Sequence, residues 1–228
     1  MNESLGDRMK ANYEKRFEYK LLRRMPVIIR LDGRSFHSIT HKCEKPFDLF
    51  LSQCMENTTK YLCEEIQGAK CGYTQSDEIS ILLVDYDLIT TQAWFDYDLQ
   101  KVVSISASIA SVYFHKLFGA DAQFDSRVFN IPIDEVVNYF IWRQKDWIRN
   151  SVAMLAQSHF SPKQLLNKGQ SEMHEMLHQK DVNWADLPPR FKNGIYAFKT
   201  QEQGVTTRDD AIFTEDRFIV EMHLARKD

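Results

Sequence analysis

Val27-Ile28-Ile29-Arg30-Leu31-Asp32-Gly33 is the stretch from which the fold is read. A β-branched run that stops at Asp-Gly predicts a buried strand ending in a turn. Downstream, residues 48–66 place Phe50, Leu51, Cys54, Met55, Tyr61, Leu62 and Ile66 at largely helical spacing. Two strand-like arms, Cys71-Gly72-Tyr73-Thr74 and residues 79–84, then flank the polar group Gln75-Ser76-Asp77-Glu78, the pattern of a β-hairpin. Residues 99–118 predict a second helix stopped by Gly119, in which the small residues Ser104, Ala107, Ser108 and Ser111 would permit close packing. Residues 124–131 read as a further strand closed by Pro132. The order β-α-β-β-α-β is the ferredoxin-type split βαβ arrangement, an α+β fold with helices on one face of an antiparallel sheet.

From about Asp134 the pattern turns mainly helical. Val136, Val137, Phe140 and Ile141 begin a long helix that would continue to about Gln157. Ser161-Pro162 predicts a capped helix start, Gly169 a stop and Ser171 the cap of one more short helix. Beyond Pro188-Pro189, residues 195–198 and 218–224 resemble strands. The division is therefore a core over residues 1–133 and a mainly helical extension with short strands over 134–228, packed on it as one compact unit.

The chain has 228 residues, enough to bury a core without disulfides or a structural metal. Its net charge of −3 excludes nucleic-acid binding through bulk charge alone and leaves room for a local basic strip. The four cysteines, Cys43, Cys54, Cys63 and Cys71, form no CxxC pair, and buried reduced thiols are expected. The start of the chain lacks the apolar stretch of a signal peptide, and no apolar run approaches the ~18 residues of a membrane span. A cytoplasmic protein with no membrane partner is the expectation.

Asp32 closes the first strand and Asp77-Glu78 lies at the hairpin tip. Side by side in a split βαβ sheet, these ends would bring Asp32 and Asp77 within reach of one cation. Hard carboxylate oxygens suit Mg²⁺, which shares its shell with water and phosphate. Two such ions roughly 4 Å apart serve in-line phosphoryl displacement. Gly33, without a Cβ, would let backbone approach a phosphate or metal closely. By themselves the same residues also read as ordinary polar turns.

The combination Arg30-Leu31-Asp32-Gly33-Arg34-Ser35-Phe36-His37, Lys45-Pro46-Phe47-Asp48 and Gly72-Tyr73-Thr74-Gln75-Ser76-Asp77-Glu78 resembles the signature of the tRNA-His guanylyltransferase superfamily. The likeness continues through Lys101, Phe124-Asp125-Ser126-Arg127 and Trp142-Arg143-Gln144-Lys145-Asp146, and more weakly through residues 189–198. It implies a palm-like core and an enzyme that activates an RNA 5′ end with ATP or GTP and adds nucleotides in the 3′-to-5′ direction. Asp32, Asp77 and Glu78 would be catalytic, with Asp32, Asp77 and the Gly33 carbonyl holding two Mg²⁺ ions. Asp32, Gly33, Arg34, Ser35, Phe36, His37, Lys45, Asp48, Ser76, Asp77 and Lys101 would bind nucleotide. The resemblance further implies a homotetramer acting on tRNA.

In the eukaryotic tRNA-His enzymes the helix after Arg-Gln-x-Asp carries the run HINNLYN, where this chain continues Trp147-Ile148-Arg149-Asn150-Ser151-Val152-Ala153. That departure makes the chain more similar to the compact bacterial and archaeal Thg1-like proteins, which repair 5′-truncated tRNAs in a template-dependent way. Addition of the extra 5′ G to tRNA-His is the alternative within enzymes, and a non-catalytic RNA-binding protein on a palm-like fold the alternative of another class. RNA phosphates would meet Arg127, Arg143, Lys145, Arg149, Asn150 and Lys192, with Arg23-Arg24, Lys163, Lys168 and Arg190 as further cations. Trp142 and Trp147 are candidates for stacking on bases. His174-Glu175-Met176-Leu177-His178 matches HExxH, with Glu202 as a conceivable third zinc ligand, but its helix is short and a solvent-facing helix is the expected reading.

Overall fold

The computed structural model describes residues 4–200 and 204–226. The described chain runs α1 (Leu5–Met9), β1 (Val27–Gly33), α2 (Leu49–Glu65), β2 (Ala69–Gln75), β3 (Glu78–Leu83), α3 (Leu99–Phe118), β4 (Phe124–Asn130), α4 (Val136–His159), α5 (Pro162–Leu165), α6 (Gln170–His178), α7 (Pro189–Asn193), β5 (Ile195–Thr200), β6 (Gly204–Arg208) and α8 (Phe218–Glu221). The strands form one six-stranded sheet in the order β4-β1-β3-β2-β5-β6, with every pairing antiparallel. No helix among the described residues is long and apolar enough to cross a membrane.

Alternation along β1 decides the layers. Val27, Ile29 and Leu31 join Ile79, Ile81 and Leu83 in a core with Met55 and Leu62 of α2 and Val102 and Phe114 of α3. Ile28 and Leu82 point the other way, onto Val136, Val137 and Phe140 of α4 and onto Phe213. The two helices of the split βαβ unit thus share one face, as expected, while the extension places α4 across the opposite face. The extension also lengthens the sheet itself, because β5 pairs with β2 and β6 with β5.

Local signals explain the ends of these elements. Asp48 caps α2 by accepting from the Leu51 N–H at 2.8 Å, and Gly119 ends α3 at φ 79°. On α3 the buried small residues are Ser106 and Ala110, whereas Ser104 and Ser108 face solvent. Ser111 instead accepts from the Phe124 N–H at 3.0 Å, tying the helix to β4.

Two expectations in the extension are corrected. Gly169 does not stop a helix but opens α6, its N–H bonded to the Glu172 carboxylate at 2.9 Å, so Ser171 lies inside the first turn. Residues 218–221 form the helical turn α8 rather than a strand. Ile219 and Val220 are adjacent and both buried, which a strand with opposite-facing neighbours would not achieve on one core.

Gly72 lies where β2 passes under α2. A Cβ there would meet Thr59 Cγ2 at 2.8 Å and Cys63 Sγ and Ile81 Cδ1 at 2.9 Å. Gly72→Ala is expected to destabilise the fold by about 1–3 kcal/mol through overpacking, read as a lower urea midpoint with an unchanged slope.

Candidate active site

Antiparallel pairing sets the acidic end of the sheet. Asp32 sits opposite Glu78 on one side and opposite Asp125 on the other. Ser76 and Asp77 form the two-residue connection from β2 to β3, and the Gly33 N–H donates to the Asp77 carbonyl at 3.0 Å, pinning the tip to the end of β1. Ser76 (φ 49°) and Ser35 (φ 52°) both hold left-handed backbone that disfavours a side chain, and both flank the carboxylates. Gly33 is required by packing, since a Cβ there would lie 2.3 Å from the Phe36 ring, which folds back onto Phe114 and Phe124.

The carboxylates are held under electrostatic tension. Burial raises the Asp32 carboxyl above its ordinary range, and the neighbouring charges of Glu78 and Asp125 add to this against the pull of Arg30 and Arg127. Burial likewise raises Asp77, helped by the charges of Asp32 and Glu78. Among the described residues no three His, Cys, Asp or Glu side chains converge as a closed metal cage would need. What the strand ends offer is a partial set of hard oxygen donors under mutual repulsion, the kind that Mg²⁺ completes with water and phosphate oxygens. Glu78 has a different occupation: its carboxylate accepts from Arg30 at 2.6 Å, from Gln75 at 2.9 Å and from Arg143.

Two cavities adjoin at Asp77. The first, about 240 Å³, is walled by the 36–48 segment, including His37, Cys43, Lys45 and Asp48, and by Phe47, Trp147 and Phe191. Phe47 stacks on Phe191 with ring centroids 5.0 Å apart and 13° between planes, giving a flat aromatic wall. Ser76 and Asp77 stand on its border. The second cavity, about 310 Å³, runs from Ser76, Asp77 and Glu78 to Asn150, Ala153 and Gln157 of α4. Trp147 and Met154 separate the two and line both.

The chain as a whole has counterparts among known proteins. The family model for tRNAHis guanylyltransferase, Thg1, matches residues 6–132. The chain belongs to the Thg1 family. It is 30% identical to protein R259 of Acanthamoeba polyphaga mimivirus, covering 86% of this chain and 77% of that one. It is 26% identical to a probable tRNA(His) guanylyltransferase of Dictyostelium discoideum, covering 93% and 91%. A bacterial Thg1-like protein solved in complex with ATP superposes with a TM-score of 0.93 at 44% identity, over 97% of this chain and 99% of that one. A structure of a bacterial Thg1-like protein in complex with GTP gives a TM-score of 0.88 at 43% identity, covering 97% and 99%. The chain is therefore a nucleotidyltransferase of the tRNA(His) guanylyltransferase type, and the likeness takes in the extension that the family model leaves out.

Against this Thg1 frame the expected site residues divide. Asp32, Gly33 and Asp77 come together at the strand ends. His37, Lys45, Asp48, Ser76 and Phe36 line the first cavity, Phe36 with its ring in the core. Asp48 serves mainly as a cap: burial would raise its carboxyl, but the N–H groups of Leu51, Glu44 and Phe50 hold it below the ordinary range. Arg34 is exposed and bonded to Gln123. Lys101 is not brought to the acidic end. It stands in the first turn of α3, whose opposite end leads to β4 beside Gly33, roughly 25 Å away along the helix.

The expected RNA contacts change more. Arg143 is 3% exposed and locked to Glu78 and Asp146, so it cannot meet phosphate from solvent. Trp147, also 3% exposed, is a cavity wall rather than an outer stacking platform. Arg127 is exposed on the edge strand β4, 3.1 Å from Asp125 and 3.8 Å from Asp32. Trp142, Lys145, Arg149 and Asn150 are exposed on α4, Arg149 paired with Asp146. Lys192 donates to the Ala185 carbonyl and lies over the Trp184 ring. His174 packs edge-on against Trp184 at 5.9 Å, His178 is exposed, and Glu202 lies outside the described residues. Phe47, Phe191 and Arg190, given no individual role in the nucleotide site by the sequence, all line the first cavity.

Proposed function

We propose that this protein activates the 5′-monophosphate end of a 5′-truncated tRNA with ATP or GTP and then restores the missing nucleotides in the 3′-to-5′ direction. The observation that carries the reading is Asp77, pinned to the end of β1 beside Asp32, at the junction of two cavities, one with an aromatic wall. In the first step a 5′-phosphate oxygen attacks the α-phosphorus of ATP or GTP and pyrophosphate leaves. In the second, the 3′-hydroxyl of the incoming nucleotide attacks the activated 5′ phosphorus and the nucleoside monophosphate leaves. Asp32 and Asp77, with the Gly33 carbonyl, are the groups that would hold Mg²⁺, which when bound offsets phosphate charge. Phe47 and Phe191 orient the base of the activating nucleotide, and Lys45 and Arg190 bring positive charge to the same cavity. Arg127, Lys145 and Arg149 offer the RNA backbone exposed cations on the α4 side of the sheet.

Repair is preferred over strict tRNA-His identity because Trp147, Ser151 and Val152, which stand where the eukaryotic HINNLYN run would be, are buried. The 5′-G addition named for relatives such as the Dictyostelium protein is the second reading. Labelled nucleotide supplied to full-length tRNA-His and to 5′-shortened non-His tRNAs separates them. Repair requires product on the shortened tRNAs, dependent on Mg²⁺ and on Asp32; product confined to tRNA-His contradicts it.

The aromatic wall makes a separate prediction. Phe191→Ala is expected to raise the KM for the activating nucleotide by about 10-fold with little change in kcat, from loss of one base–ring stack. Initial rates of activation across ATP concentrations check it.

A further inference from the structure

Glu78 follows Asp77 in the chain and faces Asp32 across the β1–β3 ladder, so it adjoins both. Its carboxylate lies in a partly buried network around the buried Arg143. Arg30 donates to one oxygen, Arg143 and Gln75 to the other. Arg143 also donates to Asp146 at 3.1 Å, and Asp146 accepts from the exposed Arg149. The Arg143 guanidinium lies 4.5 Å from the centre of the Trp142 ring, which fixes its plane. Arg30 in turn stands 3.8 Å from Asp32. The three arginines and the three carboxylates Asp32, Glu78 and Asp146 form one chain of charges from solvent at Arg149 to the strand end.

We propose that Arg143 is a positioning residue that acts through Glu78, so that α4 sets the relative placement of Asp32 and Asp77, and that Glu78 takes no ligand position itself. The inference rests on the reading of Asp32 and Asp77 as the metal-holding pair. Physically, a buried arginine bridging two carboxylates loses part of its compensation and its fixed orientation when either is removed. Beyond the apolar packing of Ile28 and Leu82 on α4, the strand end and α4 are thus coupled through this ion pair. A direct ligand role for Glu78 would need its oxygens turned away from two arginines and Gln75.

The two roles separate in a cycle of Arg143→Met, Glu78→Gln and the double variant, with Arg143→Lys as the conservative change. Three readouts apply: thermal melting, Mn²⁺ binding followed by loss of the free-ion EPR signal with the metal alone, and kcat and KM for ATP in activation of a 5′-monophosphate RNA. Positioning predicts a kcat loss of about 10²-fold for either single variant with KM nearly unchanged. It predicts a double variant no worse than the poorer single one, because both remove the same link. Mn²⁺ affinity falls about equally in the two single variants, and Arg143→Lys recovers part of both losses. Should Arg143→Met fail to fold, Arg143→Lys and Asp146→Asn carry the same comparison. The proposal is overturned if Glu78→Gln abolishes Mn²⁺ binding while Arg143→Met leaves it intact, or if the double loss equals the product of the single losses. Asp32→Ala serves as the reference: an inactive Asp32→Ala beside a fully active Arg143→Met removes only this inference, whereas an active Asp32→Ala removes the underlying reading.

Discussion

Asp32→Ala and Asp77→Ala each lower nucleotide addition by at least about 10³-fold, while the folded protein is retained. Phosphoryl transfer leaves the protein little covalent chemistry to do, so positioning and charge neutralisation supply most of the rate. Either carboxylate removed takes away half of the side-chain donor set at the strand ends. The fold does not depend on them in the same way. Burial, and then the charges of Glu78 and Asp125, raise the Asp32 carboxyl against the pull of Arg30 and Arg127, so its charged form is disfavoured on balance. Removing that charge relieves repulsion, so Asp32→Asn is expected to melt no lower than the parent, and modestly higher, while losing activity. Such opposition of stability and activity is the mark of a functional rather than a structural carboxylate. Rates of labelled nucleotide incorporation, set beside melting temperatures of the same preparations, check both halves.

Gln144→Leu carries the largest expected loss of stability, about 3 kcal/mol. Gln144 is 3% exposed, and its amide donates to the carbonyls of Asn193 at 3.0 Å and Ala211 at 2.8 Å while its oxygen accepts from the Phe213 N–H at 2.9 Å. One side chain thus holds α4, the end of α7 and the segment before α8 together. Leucine fills much of the same space but leaves the Ala211 carbonyl and the Phe213 N–H buried without partners. The Asn193 carbonyl keeps the Tyr73 hydroxyl at 2.8 Å, which limits the cost. Phe213, packed against Tyr73, Phe140 and Tyr196, would be freed from its anchor. A urea titration is the measurement, with Lys145→Ala, an exposed change on the same helix, as a control expected to shift stability by less than about 0.5 kcal/mol.

The half of the fold around β1 was legible because its signals are local. A β-branched run stopped by Asp-Gly and a glycine that ends α3 at φ 79° each act within a few residues. The acidic pair was legible for the same reason once antiparallel neighbours placed Asp32 opposite Glu78. Arg143 was misplaced by reading charge before period. Val136, Phe140, Arg143, Trp147 and Ser151 recur at three- and four-residue steps on the buried side of α4, so the period alone assigns Arg143 inward. The cavity wall was not legible by any local rule, since Phe47 and Phe191 meet only after α7 returns to the start of α2. Nor was the second use of the sheet, where β5 and β6 extend an edge that nothing in their short runs specifies.

Crystals soaked in Mn²⁺ with ATP, measured at a wavelength where manganese scatters anomalously, address the pairing of Asp32 and Asp77 most directly. The expected result is an anomalous peak within coordinating distance of both carboxylates, absent from Asp32→Asn crystals treated alike. Manganese bound elsewhere, or the two side chains turned apart with no shared peak, contradicts the account.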